Sequence, residues 1–263
     1  MFLGSALALS ALLAASPASS QLRVMCYGDS ITAGSDESNP ANSYPGELQR
    51  LRSDFDVVNQ GRDGDVSGNL DRFKAALAET SPDVVVLMLG TNDPVCTPGA
   101  TPGCKDAPTP EETATNLMRM ADAARVAGAT VLVLTPPPAV CKAHCDSRND
   151  VAYAMWMRDA FTARLTDVLR QVQPPRGIRI ADLRRRLSDA AWSTLSTNGL
   201  HPSDEGNRMI ARFVAAYIPS RDAPHVTVAG RFDRLRHHRG ETRSATSEPN
   251  PFARSPQDPR YTY

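Results

Sequence analysis

Short apolar runs near residues 22–27, 55–59, 83–89, 129–135 and 177–181 alternate along the chain with segments of helical periodicity near 43–53, 66–79, 110–127, 147–172 and 203–218. Strand and helix in regular alternation predict βαβ crossovers, hence an α/β fold with a five-stranded parallel sheet. Val84 to Leu89 and Val131 to Leu134 are continuously apolar, as strands covered on both faces are. Thr109-Pro110-Glu111-Glu112 supplies an N-cap, a first-turn proline and a capping-box glutamate, and Gly128 ends the helix they open. No internal repeat interrupts this order.

Three of the apolar runs end in polar clusters. They are Gly28-Asp29-Ser30 after the first, Asn59-Gln60-Gly61-Arg62-Asp63-Gly64-Asp65 after the second, and Gly90-Thr91-Asn92-Asp93 after the third. In an open parallel sheet the carboxyl ends of the strands share one edge, where ligands bind, so the clusters are expected to converge. Ser30 stands where a nucleophile would, but a serine hydroxyl needs a base and donors for the oxyanion. Gly61 allows a backbone N–H close approach, the Asn92 carboxamide is a side-chain donor, and the Ser30 N–H makes a third. Of the five histidines, His225, His237 and His238 lie in the tail and His144 lies between cysteines. His201, in a turn-rich stretch ahead of the last helix, and His144 remain as candidate bases.

Gly28-Asp29-Ser30, Gly61, Gly90-Thr91-Asn92-Asp93 and His201-Pro202 follow the order and spacing of the four sequence blocks of the SGNH (GDSL-type) hydrolases, which the chain resembles over residues 22–218. The resemblance implies a flavodoxin-like three-layer α/β/α sandwich that hydrolyses esters and thioesters with no metal or cofactor. It implies Ser30 as nucleophile, His201 as general base, and Ser30, Gly61 and Asn92 as the oxyanion hole. One position departs: the family usually carries Asp three residues before the histidine, where this chain has Asn198. Asn198 is expected to support a Ser30–His201 dyad by accepting the Nδ1 hydrogen bond, although an amide cannot stabilise imidazolium by charge. Asn198-Gly199 is also a turn sequence and a deamidation-prone pair. The α/β-hydrolase elbow G-x-S-x-G fits less well, because Thr32 replaces its second glycine.

Composition narrows the partners. The 263 residues are 41% hydrophobic, enough for a full core, and carry no net charge, which argues against nucleic acid and anionic membranes as partners. Residues 1–20 hold no charged side chain and end in Ser16-Pro17-Ala18-Ser19-Ser20, the pattern of a secretory signal peptide; the run falls short of the roughly 20 apolar residues of a membrane span. Residues 21–218 then form the hydrolase domain, and 219–263, rich in Arg, Pro and Ser, a disordered tail. Cysteine usage agrees with export: Cys96 and Cys104 bracket one loop, Cys141 and Cys145 another, so two loop disulfides are the simplest reading, with cross-loop pairing open. A zinc site at Cys141, His144 and Cys145 departs from usual ligand spacing. Cys26 reads as a buried thiol, and Trp192 as either pocket lining or core.

The expectation is therefore a secreted, monomeric serine esterase acting on a small-molecule or polysaccharide ester, with short-chain acyl esters, acetylated carbohydrates and lipids as the alternatives. It spans no membrane, binds no nucleic acid, and needs no cofactor. Its alternatives are a non-catalytic glycan- or lipid-binding module of the same fold and an acyltransferase.

Overall fold

The computed structural model describes residues 21–35, 40–96, 99, 101, 103, 105–142 and 150–220. Five strands, β1 (Leu22–Gly28), β2 (Phe55–Gly61), β3 (Val84–Met88), β4 (Thr130–Leu134) and β5 (Ile178–Ala181), pair in the order β2-β1-β3-β4-β5, all parallel. Successive side chains leave a strand on opposite faces, and here both faces are apolar. Val24, Cys26, Val86 and Leu132 therefore enter one core layer, and Met25, Tyr27, Val85 and Val131 the other.

Helices cover both layers. On the first face lie α1 (Ser30–Ala33), α2 (Tyr44–Leu51), α6 (Asp189–Leu195) and α7 (Asp204–Tyr217), contributing Ile31, Leu48, Trp192, Ile210 and Val214. On the second lie α3 (Leu70–Thr80), α4 (Pro110–Val126) and α5 (Asp150–Gln171), contributing Phe73, Leu117, Ala121, Leu165 and Leu169. Each large apolar side chain withdrawn from water here contributes about 1.5–3 kcal/mol before entropy is counted. Tyr27 and Phe73 meet edge-to-face, with ring centroids 4.9 Å apart and planes at 89°. This is the parallel sheet expected from the alternating pattern, in the three-layer sandwich that the family resemblance implies.

The chain passes from β1 to β2 on one side and then crosses to β3 on the other, so the strand order reverses between β1 and β3. That reversal opens the crevice in which α/β proteins bind ligands. Ser30 follows β1 and Asn92 follows β3.

Two local features differ from the periodicity. The third helix starts at Leu70, not near 66, because the Ser67 N–H and hydroxyl both donate to Asp93, which holds residues 66–68 out of helical geometry. The helices α1 and α6 leave no mark in the pattern: four and seven residues are too few to show a period of 3.6. No helix among the described residues is long and apolar enough to cross a membrane. The signal-peptide reading for 1–20 and the tail beyond Ser220 lie outside the described residues.

The start of α4 is built as its sequence suggests. Thr109 accepts from the Glu112 N–H at 3.2 Å, while Glu112 accepts from the Thr109 N–H at 2.8 Å. Thr109→Ala removes the capping hydroxyl and should cost about 1 kcal/mol. Urea unfolding should then show a lower midpoint at unchanged slope; an unchanged midpoint would mean that the cap contributes nothing.

Candidate active site

Asp29 leaves β1 and caps α1, its Oδ1 accepting from the Ile31 N–H at 3.0 Å. Ser30 thereby stands at the first position of a short helix, 9% exposed, with no hydrogen bond from its own N–H to the described residues. Its Oγ lies 2.9 Å from Nε2 of His201, a contact between residues 171 apart in sequence.

The His201 turn is held from several sides. Ser196 and Pro202 form an isolated bridge, and the Thr197 N–H donates to the His201 carbonyl at 2.9 Å. The Gly199 carbonyl accepts from Val140 N–H at 2.9 Å and from Trp192 Nε1 at 3.0 Å. Gly199 has φ +89°, and a Cβ there would fall 1.6 Å from the Val140 carbonyl oxygen. Packing and backbone conformation both demand glycine at this position. Trp192 itself is fully buried: it is core, and through its indole N–H it also braces the turn that presents His201.

Asn198 reaches the imidazole, but not in the expected sense. Its Oδ1 accepts from the Leu200 N–H and the His201 N–H, each at 2.9 Å, closing an Asx-type turn. The group left to face His201 Nδ1, at 3.1 Å, is the Nδ2 amide, which is a donor. The expectation that the amide would accept from Nδ1 is thus corrected, because the local turn has taken its oxygen.

The glycine assignment also changes. Gly61 is the last residue of β2, opposite Gly28, and its N–H donates to the Asn59 Oδ1 at 2.9 Å. A Cβ at Gly61 would lie 2.1 Å from the Ala33 nitrogen, so this glycine lets β2 pack against α1. Three residues on, Gly64 has φ +69°, open space around its Cα, and an N–H with no hydrogen bond to the described residues. Its neighbour Asp65 accepts, through its carbonyl, the Asn92 Nδ2 at 3.2 Å. An amide nitrogen has two hydrogens, so this bond orients the Asn92 carboxamide and leaves a second donor. The sequence signal for Gly64 was present, a second glycine in the same cluster. It was masked because β2 runs to Gly61, two residues beyond the end read from periodicity.

Two buried carboxylates fix these loops. Asp65 takes Arg62 at 2.8 Å, Arg72 at 2.6 Å and the Asn69 amide at 3.0 Å. Asp93 accepts from Thr113 at 2.9 Å and from the Ser67 N–H and hydroxyl; burial pushes its pKa upward. Asp29 is also buried, its Oδ2 has no hydrogen-bond partner among the described residues, and burial raises its pKa to about 7. Cys26 is a free thiol deep in the core, pushed up to about 12 by burial. Among the described residues no His, Cys, Asp and Glu side chains cluster in a way that could hold a metal. His144, Cys104 and Cys145, and with them the zinc alternative and the cysteine pairing, lie outside the described residues, as do His225, His237 and His238.

A model of the GDSL-like lipase/acylhydrolase family matches residues 26–209, which span every one of these site positions. The chain belongs to that family. Among solved structures, this GDSL-like protein is similar to a carbohydrate acetylesterase family member from Sinorhizobium meliloti, at 21% identity over 75% of this chain and 97% of the other, with TM-score 0.57. It is also similar to a lipolytic protein of the G-D-S-L family from Veillonella parvula (18%, 76% and 98%, 0.58). A third is a catalytic mutant of an acetylxylan esterase from Geobacillus stearothermophilus (18%, 76% and 94%, 0.55). At these identities the likeness establishes the shared fold. No curated protein matches the chain in sequence.

In this GDSL-like protein the carboxyl beside the serine weighs on stability in a pH-dependent way. Native Asp29 keeps its proton up to about 7, whereas an unfolded carboxyl loses it near 3.8, so the native state binds more protons between those values. Stability contributed at this position therefore falls as pH rises from about 4 to about 7. Asp29→Asn keeps an oxygen for the cap and cannot ionise. Its Tm relative to wild type should improve between about pH 4 and pH 8, by about 5 °C or more at 2–4 °C per kcal/mol. A pH-independent difference would show that Asp29 does not titrate in this range.

Proposed function

We propose that the protein is an exported carboxylic ester hydrolase that works through an acyl-enzyme on Ser30. The observation that carries this is the 2.9 Å contact of Ser30 Oγ with His201 Nε2 at the sheet edge, beside the anchored Asn92 carboxamide. In this reading His201 Nε2 takes the hydroxyl proton as Ser30 attacks the ester carbonyl. The Ser30 N–H, the Asn92 amide and, in place of Gly61, the Gly64 N–H stabilise the oxyanion. His201 returns the proton to the departing alcohol, and water then releases the acyl group.

Short-chain acyl esters and acetylated carbohydrates are the proposed substrates; the acetylesterase names of two structural neighbours favour the second. The uncharged leader at 1–20 and the cysteines at 96, 104, 141 and 145 support secretion and two loop disulfides. A second reading, a module of this fold without catalysis, is favoured by one observation, the donor that Asn198 turns toward His201.

Labelling by a fluorophosphonate probe separates the two, since only an activated hydroxyl reacts. Wild type should label and should hydrolyse p-nitrophenyl acetate, while Ser30→Ala should do neither. Asn92→Ala should retain labelling in part and lose about 10²–10³ in kcat. Hydrolysis surviving in Ser30→Ala would remove Ser30 as nucleophile.

A further inference from the structure

The base proposed above has a requirement that the neighbouring Asn198 amide opposes. To accept the Ser30 proton, neutral His201 must carry its own proton on Nδ1 and keep Nε2 bare. A group presented to Nδ1 weighs on which nitrogen is protonated: an acceptor favours Nδ1–H, a donor favours a bare Nδ1. Here the Asn198 Nδ2 amide stands 3.1 Å from Nδ1.

The orientation of that amide is set by its other end. Asn198 Oδ1 accepts two backbone N–H groups, from Leu200 and His201, both at 2.9 Å. Reversing the amide would aim its two hydrogens at those same donors, losing two hydrogen bonds and creating two donor–donor contacts. The turn cannot easily yield instead, because Gly199 is held by Val140 and Trp192. With the amide so placed, the bond to Nδ1 forms only when Nδ1 accepts, and Nε2 then carries the hydrogen and donates it to Ser30 Oγ.

We infer that Asn198 is a positioning residue that biases His201 toward the Nε2–H tautomer and so holds the Ser30–His201 pair below its full hydrolytic capacity. This rests on the esterase reading for its kinetic consequence, but the tautomer is a property of the resting protein. A carboxylate at 198 would keep Oδ1 on the two backbone donors and offer Oδ2 to an Nδ1–H, so one isosteric change reverses the bias and adds a charge that stabilises imidazolium. The converse change shows the size of such an effect: in a serine protease, exchanging Asp for Asn behind the histidine leaves the geometry intact and lowers kcat about 10⁴-fold through the wrong tautomer.

The test uses the full chain with residue 198 verified by peptide mass as Asn, since deamidation at Asn198-Gly199 would mimic the variant. Histidine ¹⁵N spectra of wild type and Asn198→Asp, recorded with imidazoles neutral and with His201 assigned by a His201→Gln control, read the tautomer directly. Wild type is expected to show Nε2–H and Asn198→Asp to show Nδ1–H. In parallel, Asn198→Asp should raise kcat on p-nitrophenyl acetate by about 10²-fold or more with KM within a few-fold of wild type. A wild-type His201 protonated chiefly on Nδ1 overturns the inference even if the variant folds poorly, and so does a well-folded Asn198→Asp that gains no turnover while still labelling with fluorophosphonate. Failure of both proteins to label, with the wild-type proton on Nε2, would instead reject Ser30 chemistry and leave the tautomer assignment standing.

Discussion

Burying a carboxylate away from water is tolerable only when ion pairs or hydrogen-bond donors replace the lost solvation, and this constraint organises the carboxyl edge of the sheet. Asp65, with no solvent exposure, gathers Arg62 and Arg72 to its side chain and Asn92 to its carbonyl, so the loops after β2 and β3 are tied to one residue. Asp93, equally buried, ties the loop after β3 to Ser67 and to Thr113 at the start of α4. Neither carboxylate needs to touch substrate. They convert two flexible connections into a fixed frame around the third, which carries Ser30.

The histidine arrives by a different device, one built on packing. Its turn is pinned by an indole N–H from the core, by the backbone N–H of Val140, and by a glycine that no other residue could replace without striking the Val140 carbonyl. Core and site are therefore coupled: the same Trp192 that fills the layer beneath α6 and α7 sets the height at which His201 meets Ser30. Preorganisation of this kind places His201 without requiring a bound molecule to induce it.

Against this stable frame, Asn198 and Asp29 are the two positions where local satisfaction and chemistry conflict. Asn198 satisfies its turn fully and in doing so points a donor at the imidazole. Asp29, next to Ser30 in sequence, caps α1 with one oxygen and leaves the other buried with no hydrogen-bond partner among the described residues. Both features follow from short-range hydrogen bonding, which is blind to the charge that a reaction at Ser30 would later develop.

Much of the architecture was legible in the chain. Continuous apolar runs separated by helical periodicity dictate a parallel sheet covered on both faces, because an all-apolar strand has no face to give to water. The convergence of the strand-end clusters that hold Ser30 and Asn92 was legible for a related reason: a parallel topology sends all carboxyl ends to one edge; His201, which precedes α7, was legible through the family resemblance. What the chain could not disclose is which partner each polar atom takes. Whether Gly61 or Gly64 keeps a spare N–H depends on how far β2 pairs with β1 and on the approach of α1. Whether Trp192 lines a pocket or joins the core depends on where α6 lands. Which end of the Asn198 amide faces His201 depends on two backbone N–H groups that converge only once the turn is folded. Periodicity follows from burial, which acts on whole side chains and is recorded residue by residue; hydrogen-bond partnership is directional and decided among atoms brought together only by the tertiary fold.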